Sequence, residues 1–140
     1  MLVRILFCAL FAAAVESSII SRCRLARDLR ESGIRLSLIP DWICLAEAVS
    51  NRNTTARGGP YGSDVHTYGI FQIGSNIWCD IGKRGKKCNV DCEDLIGDNV
   101  EESISCAIEI YADYGFSAWS AWVSKCKGKS TPDISHCLRD

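Results

Sequence analysis

The sequence predicts an α+β protein of two lobes, one helical and one small and β-rich, stapled by disulfides. Three observations lead there. Helical periodicity recurs in segments before residue 53 and again after residue 92. The stretch between, about residues 53–92, is rich in Gly, Asn, Ser and Thr and carries one good strand signal, VHTYGIFQI. The chain also holds 9 cysteines in 140 residues, a density typical of a small disulfide scaffold.

The first helix is expected in RLARDLRESG, where Leu25 and Leu29 stand four apart and Gly33 supplies an end signal. The second is PDWICLAEAVS. Pro40 suits a first turn, and Trp42, Leu45, Ala46 and Val49 fall on one face. The third, DNVEESISCAIEIYA, opens with Asp98 and has Glu101 three residues on, as in a capping box. The fourth, FSAWSAWVSKCKG, takes Ser117 as N-cap, Phe116 with Ala121 as a hydrophobic staple, and Gly128 as its stop.

The N-terminus reads as a secretory signal. Arg4 precedes the apolar run ILFCALFAAAV, which is too short to span a bilayer, and small residues follow. The expected leader is 1–17, with cleavage after Ser17 or Ser18; a buried N-terminal helix is the alternative. Residues 18–140 then form a single domain. Cys8 lies in the leader, so the mature chain keeps an even set of cysteines, and an oxidising, extracellular compartment follows. Spacing alone leaves on the order of a hundred pairings open. Zinc is a poor rival, because the 88–92 cysteine pair and the isolated His66 and His136 do not match finger spacing. The net charge of −1 gives no footprint for nucleic acid or for an anionic membrane surface.

Several motifs occur in a telling order: W-x-C at 42–44, YGIFQI at 68–73, WC at 78–79, CNVDC at 88–92, SCA at 105–107, AWSAW at 118–122 and CKG at 126–128. In these the chain resembles the C-type lysozymes and α-lactalbumins, the insect lysozymes in particular, over residues 20–137. The resemblance implies a lysozyme fold, a helical lobe plus a small antiparallel β lobe. It implies the pairs Cys23–Cys137, Cys44–Cys126, Cys79–Cys92 and Cys88–Cys106. It also implies secretion and a cleft for chains of β-1,4-linked N-acetylglucosamine and N-acetylmuramic acid.

The family's chemistry uses two carboxylates, a protonated acid in an apolar pocket and an ionised partner; lysozyme is the standard worked case. The family's acid stands five residues after the helix cysteine, which here is Val49, followed by Ser50. Its second carboxylate stands directly before the Y-G of the strand, which here is Thr67. No catalytic residue is therefore expected. Glu47 is two residues earlier, about 200° around the helix, and reads as a solvated surface charge pointing away from the Val49 face. Asp64 stands in a loop that could approach the cleft, though it would lack a proton donor. His66 alternates with Thr67 and is expected on the opposite face.

By resemblance, Gln72, Trp78, Asp113, Trp119 and the backbone of Ala118 match sugar-contacting positions. Trp42, Trp119 and Trp122 also fit an ordinary helical core. The family's tandem aromatic pair reads Ile77-Trp78, and its usual Asn after Q-I is Gly74. Calcium-binding members hold their ion in the loop before the third helix. The matching positions are Asp94, Gly97, Asn99, Glu102 and Ser103, too poor in carboxylates for a tight site. No metal and no cofactor are expected. NTT at 53–55 makes Asn53 a glycosylation candidate, and GKRGKK at 82–87 reads as a solvated loop.

Three functions follow. One is a secreted, catalytically inactive lysozyme-like monomer that binds N-acetylglucosamine-containing glycans, peptidoglycan among them, or a protein partner. The second is a weakly active, peptidoglycan-hydrolysing lysozyme. The third is an extracellular interaction protein without sugar binding.

Overall fold

The computed structural model describes residues 18–139; the expected leader lies outside them. The chain folds into α1 (Arg22–Glu31), α2 (Ile39–Ser50), β1 (Arg57–Tyr61), β2 (Val65–Tyr68), β3 (Ile73–Gly74), α3 (Glu101–Tyr114) and α4 (Ser120–Lys125), joined by short 3-10 turns. The strands form one antiparallel sheet in the order β1-β2-β3. This is the lysozyme fold, helices plus a small antiparallel sheet.

Ser21 caps α1, its Oγ accepting from Arg24 N at 3.0 Å. Gly33 (φ +90°) turns the chain away just past the end of this helix, a conformation that L side chains resist. α2 buries more than one stripe. Ile39, Trp42, Ile43, Leu45 and Ala46 are all buried, because α1, α4 and the 3-10 turn before α2 pack around it. Trp42 is the hub. Its ring centroid lies 5.7 Å from Phe71, 5.5 Å from Tyr111, 5.0 Å from Phe116 and 6.2 Å from Trp119, mostly edge-on.

The structure departs from the sequence expectation at three boundaries. VHTYGIFQI is not one strand. Gly69 (φ +77°) and Gln72 (φ +49°) fold it into a tight turn between β2 and β3. A Cβ on Gly69 would lie 2.1 Å from Leu95 O, so this bend leaves no room for a side chain. α3 begins at Glu101 rather than Asp98. Asn99 Oδ1 accepts from Glu101 N, and Asp98 instead receives Arg24 Nη1 at 2.9 Å. α4 begins at Ser120 with no side-chain cap, since residues 115–118 form a 3-10 turn first. Phe116 is drawn under Trp42 and stacks on Trp122 at 4.9 Å, which displaces the expected staple to Ala121.

Disulfides join Cys23–Cys137, Cys44–Cys126, Cys79–Cys92 and Cys88–Cys106. The first two tie the helical lobe together, the third closes the loop beyond β3, and the fourth fastens that loop to α3.

Candidate functional site

A cleft runs along the sheet side of the molecule, between β2–β3 and the α3–α4 junction. It consists of two adjoining cavities. One, of 470 Å³, is lined by residues that include Val65, Asn76, Ile77, Trp78, Ile110 and Tyr114. The other, of 410 Å³, is lined by Ala48, Val49, Tyr61, Ser120 and Ala121 among others. Thr67, Gln72, Ala118 and Trp119 line both and so mark where they meet.

Four of the sugar-contact candidates, Gln72, Trp78, Ala118 and Trp119, thus come together. Asp113 does not join them. It is exposed on α3, with its carboxylate 3.6 Å from Lys87 Nζ. Val49 and Thr67 line the same cavity. Glu47 lies outside both linings.

The polar groups at the meeting point are largely spent on one another. Thr67 Oγ1 donates to Gln72 Oε1 at 2.6 Å. Gln72 Nε2 donates to Ala56 O at 3.1 Å and to Gly69 O at 2.9 Å. This small network locks the β2–β3 turn, and it explains how Gln72 is held in left-handed backbone. Trp119 is buried and its indole N–H donates to Phe71 O at 2.9 Å. Trp78 is buried too, edge-on to Tyr114 at 6.1 Å, with Lys87 Nζ 5.3 Å from its ring centroid. Among the described residues, no carboxylate, histidine or cysteine lines either cavity.

Glu47 is not the freely solvated charge its helix position suggests. Its carboxylate accepts from Arg22 Nε and Nη2 at 2.7 and 2.8 Å and from Arg52 Nε at 3.0 Å. Burial pushes its pKa up, but the hydrogen bonds and charges of Arg22 and Arg52 outweigh this and hold it below the ordinary range. Asp64 is 90% exposed and stands 3.7 Å from His66 Nε2; neither lines the cleft. Asn53 Oδ1 accepts from Thr55 N and Oγ1, both at 2.9 Å, in the turn after α2. A roomier cavity of 740 Å³ lies elsewhere, between α1 and the start of α3. There Arg24 is already paired with Asp28 and Asp98, which leaves a charged surface dip rather than an apolar site.

Sequence reasoning missed Tyr61, Val65, Asn76 and Tyr114 as cleft residues. Tyr61 belongs to RGGPY, a strand without alternation. Asn76 lies in the loop past β3, where no periodicity assigns a direction.

Residues 18–137 match the model of the C-type lysozyme/alpha-lactalbumin family. The chain belongs to that family. It is 36% identical to lysozyme c-1 of Anopheles gambiae over 126 residues, covering 90% of this chain and 89% of that protein. It is 40% identical to a lysozyme of Bombyx mori over 127 residues, covering 87% and 88%. Among solved structures it is similar to a calcium-binding lysozyme from equine milk, with a TM-score of 0.72 and 36% identity over 80% of this chain and 92% of that one.

The corresponding loop here does not fit a calcium ion. Ser103 is buried and its Oγ donates to Leu95 O at 3.2 Å, while Glu102 stands 3.3 Å from Arg84. Calcium takes six or more oxygen ligands, and of the side-chain positions matched, Gly97 has none to give, Glu102 is paired with Arg84 and Ser103 with Leu95.

Proposed function

We propose that this chain is a secreted, catalytically silent lysozyme-like protein that binds N-acetylglucosamine-containing glycans in its cleft. The observation that carries the reading is the lining itself. Val49 and Thr67 occupy the positions at which the family resemblance puts the acid and its ionised partner, and among the described residues no carboxylate lines either cavity to replace them. Valine transfers no proton. Threonine, donating its hydroxyl hydrogen to Gln72, offers no negative charge to an oxocarbenium-like transition state. Losing the general acid alone removes about 10²–10⁴ in rate. Val49 also fits without an unsatisfied group, because the pocket of a raised-pKa acid is apolar. The half-buried valine packs against the core beside Trp119.

Sugar binding is supported by the wall that remains. Trp78, Ile77 and Tyr114 give the larger cavity an apolar side suited to the carbon face of a pyranose ring. The four disulfides support export, with residues 1–17 as a removed leader and 18–140 as one monomeric domain.

The test is lysis of a bacterial cell-wall suspension from about pH 4 to about pH 8, the range in which the family's carboxylate pair works. The wild type should leave the suspension turbid. Val49→Glu with Thr67→Asp should restore part of the activity, and neither single change should do so comparably. Wild-type lysis abolished by mutating Glu47 or Asp64 would overturn the reading.

A further inference from the structure

Asn53-Thr54-Thr55 is the one N-x-S/T triplet of the sequence. It forms the turn after α2, and Ile19 bridges to Asn53 in antiparallel fashion. Ile20 and Thr54, the next residues of the two segments, are buried at 5% and 2% exposure. Ile19 and Asn53 therefore lie side by side on the opposite, outer face, where Ile19 is 45% exposed. Hydrogen bonds fix how the Asn53 carboxamide is turned. Its Oδ1 accepts from Thr55 N and from the Thr55 hydroxyl, both at 2.9 Å, and that hydroxyl lies 3.0 Å from Ser18 Oγ. Its Nδ2 donates to none of the described residues. Among those residues, Trp122 Nε1 is the one buried side-chain polar atom without a partner. Asn53 Nδ2, which also has none, is therefore open to solvent.

We propose that Asn53 carries an N-linked glycan whose first sugar packs on Ile19. The inference rests on the export reading above, because the sugar donor is a lipid-diphosphate oligosaccharide of the secretory pathway. The bond formed joins Asn53 Nδ2 to the anomeric carbon of the donor's first N-acetylglucosamine. The bond broken joins that carbon to the lipid diphosphate, which leaves, and the proton lost from Nδ2 goes to a base of the transferring enzyme. Oδ1 remains a carbonyl oxygen, so the turn that Thr55 closes survives the modification. The carbon face of the first sugar then covers the neighbouring isoleucine. Taking that apolar surface out of water fastens residues 18–20 to the turn. The cleft stays open, since neither Asn53 nor Ile19 lines its two cavities.

The experiment is expression of the full chain in cultured insect cells, with mass spectrometry of the protein in the medium. Peptide N-glycosidase should lower the mass of the wild type and convert Asn53 to Asp, which peptide mapping locates. Thr55→Ser should keep the sugar, and Thr55→Ala should lose it, because the transfer needs a hydroxyl two residues on. Melting then tests the contact with Ile19. Trimming the glycan to a single N-acetylglucosamine should leave the melting temperature unchanged. Removing that last sugar should lower it by about 3 °C, and in Ile19→Ser the same removal should change nothing, the mark of two groups in one contact. A secreted wild type without sugar on Asn53 overturns the proposal while export stands. A chain that never reaches the medium sinks both. A glycosylated chain whose melting is indifferent to the last sugar, or in which Ile19→Ser leaves the difference intact, overturns the packing on Ile19.

Discussion

Replacing Glu47 by Gln tests whether a charge on the outer face of α2 contributes to stability through its two arginines. The carboxylate is about one-fifth exposed and accepts three hydrogen bonds, two from Arg22 and one from Arg52. Arg52 also donates to Ile20 O, and Thr54 N donates to Ser18 O at 2.9 Å. The cluster therefore fastens residues 18–22 to the end of α2 and to the turn beyond it. A hydrogen bond to a charged group contributes roughly 1.5–3 kcal/mol when shielded, and much less when exposed. Arg22 is half exposed, so its fork is discounted heavily. Gln keeps one acceptor and turns an N–H₂ toward the other arginine. The loss at neutral pH comes to about 2 kcal/mol, or a fall of about 6–10 °C in melting temperature for a domain of this size.

The sign with pH follows from the lowered pKa. Glu47 stabilises the fold above its unfolded-state value of 4.5, and that contribution disappears as pH falls through the lower folded value. Melting both proteins by circular dichroism between neutral pH and the acid limit should give a constant difference down to about pH 5, shrinking toward zero further down. An equal difference at both ends, or none at neutral pH, would refute the reasoning.

Gly58→Ala should destabilise the sheet by about 1–3 kcal/mol, since the new methyl would meet Thr67 Oγ1 at 2.4 Å, Gln72 Oε1 at 2.6 Å and Tyr61 OH at 2.8 Å. A lower urea midpoint with an unchanged slope is the expected reading. Replacing both Cys44 and Cys126 by Ala should cost about 2–5 kcal/mol, because that bridge spans 82 residues and pins α2 beside α4; a guanidinium titration against the wild type measures it.

The helical lobe was legible because its signals are local. Apolar residues four apart, Pro40 in a first turn and Gly33 past an end each speak for a few neighbouring positions. The strand signal failed at Gly69–Gln72, where the bend packs Gly69 against the carbonyl of Leu95, a residue far along the chain. The start of α4 failed for the same reason, since Phe116 answers to Trp42 rather than to Ala121. Helical geometry put Glu47 off the Val49 face, but Arg22 and Arg52 reach it from other segments, and periodicity says nothing about them. At the cleft, the resemblance supplied Gln72, Trp78, Ala118 and Trp119. It could not supply Asn76, which lines the cavity from the loop past β3.

The Trp42 hub has an optical consequence. Trp42 and Trp119 have ring centroids 6.2 Å apart, and Phe116 bridges Trp42 to Trp122. Indoles this close exchange excitation before they emit, so these three behave as one chromophore whose glow belongs to the helical lobe as a whole. Trp78 lies outside this ring cluster, beside Tyr114 and Lys87, and shares a cavity wall with Trp119. Trp119 lines the same cavity as Trp78, so a ligand settling in the cleft touches the hub and Trp78 together, and its emission change reports the cleft and the helical lobe at once.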